Sequence, residues 1–377
     1  MRIPFNQVTL LGNERAYVND ALNLAKLSGD GHFTHRCHSW FEKRLECSKS
    51  LLTPSCTQAL EVAAQLIDIQ AGDEVIMPSY TFVSTANAFV MRGAKIIFVD
   101  ICPDTMNLNA ELVEPAITSK TKAVVPVHYA GVSCEMDSIN QIAKQYGLWV
   151  IEDAAQGVGA LYKDKYLGTI GDIGTYSFHD TKNLTSGGEG GLLLLKTSQL
   201  ADRAAVIRDK GTNRRQFLDG LVDKYTWMQM GGSYLPSELQ AAYLLAQLES
   251  VDVINNNRCM TWELYQSAFQ QLSMADHIQL PSIPSDCVHN GHIFYIKCRD
   301  RSERSRLIEH LAQNKIEATF HYVPLHSSPA GKIYGSFHGE DLHTTKESER
   351  ILRLPLWYGM DEEKVMYVAD AVSRFYS

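Results

Sequence analysis

Short aliphatic runs alternate with helical stretches through the first half of the chain, and this alternation restricts the fold more than any other feature. Strands are predicted at 74–77 (EVIM), 95–99 (KIIFV), 122–127 (KAVVPV) and 148–151 (LWVI). Helices are predicted at 14–27, 38–46, 57–67, 81–92, 109–117 and 135–146. Because helices connect successive strands, the pattern indicates βαβ units and a mostly parallel, buried sheet. The sequence therefore predicts an α/β fold.

The pattern changes near residue 168. Glycine-punctuated strands are predicted within 168–178 and 190–196, and a long amphipathic helical run follows at 237–270. Two strands (292–298 and 318–323) and two helices (303–313 and 361–375) are predicted in the remainder. These elements suffice for a small α+β lobe. We therefore expect a large domain of residues 1–254 and a smaller C-terminal domain of residues 255–377.

Composition and charge exclude several classes of protein. Of the 377 residues, 45% are hydrophobic and 21% are charged, which is typical of a globular protein with a sizeable core. The net charge is −8 and no Lys/Arg cluster stands out, so we expect no nucleic-acid partner. No apolar run approaches the ~18 residues of a membrane span. The first residues are too polar for a signal peptide. We therefore expect no membrane association and a cytoplasmic location.

Two residues suited to pyridoxal phosphate (PLP) chemistry follow predicted strands. Asp153 follows the strand at 148–151, and Lys182 follows a strand that ends near Ser177 and precedes the glycine cluster at 187–191. Ligands of open α/β sheets bind at the carboxyl ends of the strands. PLP needs a lysine for covalent attachment and a carboxylate that keeps its ring nitrogen protonated. Taken alone, Asp153 is equally suited to cap a following helix, and Lys182 to lie on the solvated surface.

Two further segments can hold the phosphate and the ring of such a cofactor. Ser55, Cys56 and Thr57 directly precede the helix predicted at 57–67, and a helix start with hydroxyl groups binds phosphate. An ordinary helix cap explains the same residues. Phe82 follows the strand at 74–77 and can stack on a pyridine ring, although a Phe in this setting is more often part of the core.

Other sites are disfavoured by spacing. Gly157-Val158-Gly159 begins like a dinucleotide-binding motif, but Tyr162 stands at the third glycine position. No Gly-x-x-x-x-Gly-Lys-Ser/Thr phosphate loop is present. A metal site formed by Cys37 and histidines 32, 35 and 38 is disfavoured, because the first and third histidines point to different sides of a helix. We expect no metal site.

Several segments together resemble the nucleotide-sugar aminotransferases of the DegT/DnrJ/EryC1/StrS family. They are PSCT (54–57), PSYTFVSTANAF (78–89), VPVHYAG (125–131), EDAAQG (152–157), SFHDTKN (177–183) and GGEGG (187–191). Similar segments extend through KGTNR (210–214), SELQAAYLLAQLE (237–249) and HGEDLHTTKESERILRLPL (338–356). The resemblance implies PLP-dependent transferase fold type I, the fold of aspartate aminotransferase.

The resemblance also implies roles for individual residues. Lys182 binds PLP covalently and Asp153 pairs with the pyridine nitrogen. The remaining cofactor contacts are Gln156 on the ring hydroxyl, Phe82 on the ring face, and Cys56 (backbone), Thr57 and Ser177 on the phosphate.

A homodimer with shared active sites is a further implication. Relatives complete the phosphate site with an Asn of the partner subunit, within a Tyr-Asn-x-Ser/Thr-Asp/Glu segment. This chain has Leu235 at that position, so we expect Ser233 or Ser237 to take the place of the Asn.

The activity that the resemblance implies is transfer of the amino group of L-glutamate to C4 of dTDP-4-keto-6-deoxy-D-glucose, giving dTDP-4-amino-4,6-dideoxy-D-galactose. The gluco epimer and amination at C3 are alternatives that spacing does not separate. A sugar 3-dehydratase of the same fold is a further alternative. That branch resembles the transaminases but has a histidine in place of the lysine, whereas Lys182 is present here. A noncatalytic protein of this fold would be expected to lose Lys182 or Asp153. A nicotinamide-dependent oxidoreductase would need the glycine motif that is missing here.

Overall fold

The computed structural model describes all 377 residues. The strands of the first 200 residues are β1 (Lys49–Thr53), β2 (Glu74–Pro78), β3 (Lys95–Val99), β4 (Thr121–Val124), β5 (Trp149–Asp153), β6 (Leu161–Tyr162), β7 (Lys165–Tyr166), β8 (Ile173–Ser177) and β9 (Gly191–Leu195). The later strands are β10 (Cys287–Val288), β11 (Phe294–Lys297), β12 (Gly335–Phe337) and β13 (Ile351–Leu354).

The helices connect and cover these strands. Helices up to residue 218 are α1 (Glu14–Asn23), α2 (His32–Leu45), α3 (Cys56–Leu66), α4 (Val83–Val90), α5 (Met136–Tyr146), α6 (Ala201–Arg208) and α7 (Arg214–Leu218). The remaining helices are α8 (Glu238–Leu248), α9 (Val251–Ala268), α10 (Gln270–Met274), α11 (Arg301–Gln313), α12 (Pro329–Tyr334), α13 (Thr344–Arg350) and α14 (Glu362–Tyr376). None of them is both long enough and apolar enough to cross a membrane.

One large sheet organises the molecule. Its eight strands lie in the order β1-β9-β8-β5-β4-β2-β3-β12, and only β9 runs antiparallel to its neighbours. Hydrophobic clusters cover both faces of this sheet, and every residue of β8 and β9 is buried. A sheet that is buried on both faces and connected by helices is the α/β arrangement that the alternating pattern predicts, and it agrees with the transferase fold that the resemblance implies.

Three predicted elements differ in type or continuity, while α1, α2 and β4 differ from the predictions only in their bounds. The prediction of a helix at 109–117 is wrong. Two short 3₁₀ turns form there instead, because Pro115 has no N–H for an α-helical hydrogen bond. The run 237–270 forms two helices, α8 and α9, which are separated at Glu249 and Ser250. The strand expected at 318–323 is limited to a single bridge between Thr319 and Arg353.

The C-terminal part has its own core but is attached firmly to the large sheet. Strands β11 and β13 pair antiparallel, and helices α9, α11 and α14 pack around them. Strand β12 joins the large sheet beside β3. The buried carboxylate of Asp100, which follows β3, accepts hydrogen bonds from the N–H groups of Leu342, His343 and Thr344. Hydrogen bonds to a charged group each contribute about 1.5–3 kcal/mol. We keep the division near residue 255, in the first turns of α9, as a proposal.

Candidate active site

A cavity of about 550 Å³ opens at the edge of the sheet where β1, β2, β5 and β8 end. Residues of both parts of the chain line it. All seven residues predicted for the cofactor site are among them: Cys56, Thr57, Phe82, Asp153, Gln156, Ser177 and Lys182. Their sequence positions span more than a hundred residues, and the parallel sheet brings them together because its strands end at one edge.

Asp153 presents a buried carboxylate to this cavity. Its Oδ2 accepts a hydrogen bond of 2.6 Å from Thr85 Oγ1, and its Oδ1 accepts one of 3.2 Å from Ala155 N. No basic side chain forms an ion pair with it, and the residue is only 6% exposed. No helix begins after Asp153, so the helix-cap interpretation is wrong. A buried carboxylate without a cationic partner is costly even when it accepts hydrogen bonds, and a protonated ring nitrogen in the cavity would supply that partner.

Lys182 lies on the turn that follows β8. Its backbone N–H donates to His179 O (2.9 Å), and the side chain of the next residue, Asn183, donates to Asn255 and to the backbone of Asn290. Burial lowers the pKa of the Lys182 ammonium, against the opposing effects of the Cys56 thiolate form and Asp153. The side chain is therefore no solvated surface lysine. A lysine whose pKa is lowered by burial is a better nucleophile near neutral pH.

The first turn of α3 supplies donors for a phosphate group. Ser55 caps this helix by accepting from Gln58 N, which leaves the N–H groups of Cys56 and Thr57 without partners inside the helix. Thr57 Oγ1 lies 2.7 Å from Ser84 Oγ, and Ser177 is buried at the same edge. Ser84 was missed in the sequence, although it lies in the segment that supplies Phe82. Free N–H groups and three hydroxyls fit a phosphate dianion.

Gly191 allows this helix start to lie against the sheet. A Cβ atom at Gly191 would overlap the Ser55 carbonyl group and Cys56 N. Only glycine therefore permits the first residue of β9 to approach the turn into α3 so closely. The glycine cluster after Lys182 positions the backbone of the candidate phosphate site.

Phe82 and Gln156 line the same cavity as Lys182 and the start of α3. The Phe82 side chain is 55% exposed and lies in the cavity, so the expectation that it belongs to the core is wrong. Gln156 is held by two hydrogen bonds, from Ala130 N to its Oε1 (2.7 Å) and from its Nε2 to Tyr322 Oη (2.9 Å). An exposed aromatic face beside a fixed amide fits a planar ring that carries a hydroxyl group.

The segment HYVPLH (321–326) contributes two of its residues to the cavity. Tyr80 Oη donates to Tyr129 Oη (3.3 Å), and Tyr129 Oη lies 2.8 Å from His321 Nδ1. Burial lowers the pKa of His321, which is therefore neutral. His326 lies outside the cavity and contacts Ser79 Oγ (2.7 Å).

The two serines expected to replace the partner's Asn differ in whether their hydroxyl groups are free to bind a ligand. Ser237 forms a capping box with Gln240 at the start of α8, so its hydroxyl is already used. Ser233 is exposed and its side chain makes no hydrogen bond within the subunit. Leu235 is half-buried. Ser233 is therefore the one of the two serines that remains free for a contact with another subunit.

Three basic residues of the cavity were not predicted from the sequence. Arg258, His292 and Arg353 reach it from α9, the segment before β11, and β13. No motif or spacing connects them, because they meet Lys182 only when the C-terminal part packs onto the large sheet.

Comparison with known proteins agrees with this geometry. The chain matches the DegT/DnrJ/EryC1/StrS aminotransferase family over residues 9–373. A GDP-perosamine synthase of Escherichia coli O157:H7 is 31% identical over 376 residues, covering 100% of this chain and 99% of that protein. The spore coat polysaccharide biosynthesis protein SpsC of Bacillus subtilis is 35% identical over 326 residues, covering 84% and 83%.

Solved structures agree as well. The aminotransferase TlmJ of Streptoalloteichus hindustanus superposes with a TM-score of 0.91 at 28% identity, covering 100% of this chain and 99% of that chain. DesV of S. venezuelae has a TM-score of 0.91 at 29% identity, covering 99% and 98%. The chain therefore belongs to the DegT/DnrJ/EryC1/StrS family of sugar aminotransferases, and its cofactor is PLP.

Proposed function

We propose that this enzyme transfers the amino group of L-glutamate to C4 of dTDP-4-keto-6-deoxy-D-glucose. The products are dTDP-4-amino-4,6-dideoxy-D-galactose and 2-oxoglutarate. The observation that carries the chemistry is a single cavity that contains an unpaired lysine, Lys182, and a buried carboxylate without a basic partner, Asp153. The choice of acceptor and product rests on the resemblance of the motifs to the transaminase of enterobacterial common antigen synthesis.

Each proposed residue has a distinct task. PLP, when bound, withdraws electrons from the carbon that loses its proton. Asp153 keeps the proton on the ring nitrogen. Lys182 Nζ takes the proton from Cα of the amino donor and, in the second half reaction, delivers a proton to C4 of the sugar. Phe82 and Gln156 orient the ring.

The phosphate of PLP is assigned to the start of α3. Cys56 N, the Thr57 hydroxyl and Ser177 bind it, and Ser84 joins them because its hydroxyl contacts Thr57. The positive end of the α3 dipole favours this dianion.

A GDP-linked 4-keto sugar is the second candidate acceptor. The GDP-perosamine synthase of E. coli O157:H7 aligns over the full chain at 31% identity, and its name implies a GDP-linked product. The gluco epimer and amination at C3 stay alternatives, since they share all the cofactor residues. The face of the hexose that is turned toward Lys182 decides the epimer.

We also propose a homodimer. The apolar residues of 234–249 are largely used inside the subunit, since Ala241, Leu244 and Leu248 belong to its core. Exposed apolar side chains lie instead in 217–230, where Leu221, Trp227 and Met230 are each more than two-thirds exposed. Such a patch is typical of a surface that another protein covers.

Loss of Lys182 is expected to abolish transamination. Lys182→Ala removes the group that binds PLP and moves the proton, so turnover should fall at least about 1,000-fold with the fold intact. Borohydride reduction of the wild-type holoenzyme followed by peptide mapping should find the cofactor on Lys182. Lys165→Ala and Lys210→Ala serve as controls, and label on either of those lysines would disprove the assignment.

Loss of the Asp153 charge is expected to slow both half reactions. Asp153→Asn keeps the shape but no longer holds the ring proton, so single-turnover rates should fall about 100- to 1,000-fold. Asp172→Asn is the matched control, because Asp172 directly precedes β8, lies outside the cavity, and its carboxylate accepts only from Val150 N. Near-normal rates for Asp153→Asn would show that Asp153 has only a structural role.

The product identifies the acceptor and the epimer. The enzyme is incubated with L-glutamate and either dTDP-4-keto-6-deoxy-D-glucose or its GDP-mannose-derived counterpart, and the products are examined by NMR. We expect turnover of the dTDP sugar, with small H3–H4 and H4–H5 couplings that indicate an axial amine. Large couplings would indicate the gluco epimer. Turnover of the GDP sugar alone would favour the second candidate.

The dimer is tested by sedimentation of the holoenzyme at working concentration. We expect a single dimeric species, and Trp227→Glu should weaken it because this substitution places a charge in the apolar patch. Val253→Glu, at an exposed position on α9, is the control. A fully active monomer would contradict the proposal.

A further inference from the structure

A chain of two threonine hydroxyl groups ends on the carboxylate of Asp153. Thr85 Oγ1 donates to Asp153 Oδ2 at 2.6 Å, and Thr81 Oγ1 lies 2.8 Å from Thr85 Oγ1. Both threonines are buried, with exposed fractions of 2% or less. A short hydrogen bond from a hydroxyl group to a carboxylate is stronger than one between two neutral groups. The chain therefore acts on the carboxylate that is assigned to the ring nitrogen of PLP.

The direction of both hydrogen bonds follows from the number of protons. An ionised carboxylate only accepts, so the single proton of the Thr85 hydroxyl points toward Asp153. The bond between the two threonines then requires that Thr81 donates and Thr85 accepts. Thr81 makes no other side-chain hydrogen bond. Because both bonds run in the same direction, the first polarises the second and strengthens the bond that Thr85 donates to the carboxylate.

The hydroxyl group of Thr85 does not have the partner that is usual for a helical threonine. Thr85 stands in the first turn of α4, where a threonine hydroxyl ordinarily donates to a backbone carbonyl three or four positions earlier. It donates instead to a side chain that is 68 residues away in the sequence. The connection between β2 and α4 thus places Phe82, Ser84 and Thr85 at the cavity, and Thr85 is the one that reaches Asp153.

Neighbouring titratable groups provide no positive charge for Asp153 once the cofactor is attached. Burial raises the pKa of the Cys56 thiol and of the Tyr322 hydroxyl, and the negative charge of Asp153 adds to both increases, so both groups are neutral. Lys182 is assigned to the covalent bond with the cofactor. The donors that remain for the carboxylate are Thr85, one backbone N–H group and the ring nitrogen itself.

The proton between a buried carboxylate and a pyridine nitrogen rests on one group or the other. Burial favours the neutral pair, with the proton on the carboxyl group, because burial disfavours both charges. A hydrogen bond donated to the carboxylate favours its ionised form and leaves the proton on the nitrogen. The ring withdraws electrons most strongly when this nitrogen is protonated. We propose that Thr85, supported by Thr81, is a positioning residue that keeps Asp153 ionised and the ring nitrogen of PLP protonated.

This proposal rests on the role proposed for Asp153, but not on the identity of the amino donor or of the sugar. It deepens the proposed function by naming a residue that controls the protonation of the cofactor without touching the reacting atoms. Because Thr85 acts through Asp153, its effect is measured on the cofactor itself, with no substrate present.

The protonation of the ring is measured by solid-state NMR of holoenzyme that is reconstituted with PLP carrying an NMR-active isotope at the ring nitrogen. The chemical shift of this nitrogen gives its protonated fraction at each pH. Thr85→Val keeps the shape but removes the hydroxyl group, so the pH midpoint for loss of the proton should fall by about 1–2 pH units. Thr85→Ser should restore the wild-type midpoint. Thr81→Val should lower the midpoint by less, because Thr81 acts through Thr85.

Thr344→Val is the matched control. Thr344 Oγ1 donates to the buried carboxylate of Asp100 at the same distance, 2.6 Å, and neither residue lines the cavity. Both valine variants should lose thermal stability to a similar extent, but only Thr85→Val should lower the midpoint and raise the Kd of PLP, by about 10-fold. An unchanged midpoint in folded Thr85→Val would overturn the proposal. If Thr85→Val does not fold, an unchanged midpoint in Thr81→Val overturns it.

Asp153→Asn distinguishes this proposal from the function on which it rests. The ring nitrogen should lose its proton in Asp153→Asn at a much lower pH than in the wild-type enzyme. A wild-type midpoint in Asp153→Asn would show that the role of Asp153 is wrong, and the role of Thr85 with it. A lowered midpoint in Asp153→Asn together with a wild-type midpoint in Thr85→Val would reject only the role of the threonines.

Discussion

The rest of the structure depends on one constraint, which is that parallel strands end at the same edge of their sheet. β1, β2, β5 and β8 run in the same direction, so the residues after each strand meet at one edge. Thr57, Phe82, Asp153 and Lys182 come from four such connections. An antiparallel arrangement would send half of these connections to the opposite edge. The backbone topology therefore assembles the site before any side-chain chemistry is considered.

Charge is distributed unevenly within this site. The buried carboxylate of this site, Asp153, has hydrogen-bond donors but no cation, while Lys182, Arg258 and Arg353 form no ion pair. Asp153 and Arg258 are buried, where unpaired charge costs far more than at the surface, whereas Lys182 and Arg353 are partly exposed. A cofactor with a protonated ring nitrogen would offset the cost at Asp153. The burial that makes an unpaired charge costly therefore also favours the binding of a ligand of opposite charge.

The C-terminal part completes the cavity and is fastened to the sheet in several ways. Strand β12 extends the sheet beside β3, and Asp100 binds the N–H groups at the start of α13. Tyr322 is linked to Gln156, and His321 to Tyr129, across the same boundary. These contacts hold β13, and with it Arg353, at a fixed distance from Lys182. Rigid placement of this kind is what a site that orients two substrates in turn requires.

Much of the fold and the cofactor site follows from the sequence alone. The strands at 74–78, 95–99 and 149–153 were predicted nearly to their ends, because fully buried parallel strands are continuous aliphatic runs bounded by turns. Asp153 and Lys182 were predicted because each follows such a strand. One local failure has a clear physical cause, since Pro115 prevents the helix at 109–117. The segment 318–323 pairs only at Thr319, with Arg353, and its residues His321 and Tyr322 line the cavity.

Only the tertiary structure decided which other residues join them. Ser84 and Arg353 carry no local signal, since an arginine in a strand of the C-terminal part is indistinguishable in sequence from a surface arginine. The capping box uses Ser237 and leaves Ser233 free, a choice that depends on where α8 begins. The spacing of apolar residues indicates which face of a helix or strand is buried, but not which distant segment packs against that face. The sequence by itself therefore determined the sheet and predicted the lysine and the aspartate at its edge, whereas the packing of the C-terminal part decided the charge and the walls around them, because contacts between distant segments leave no periodic trace.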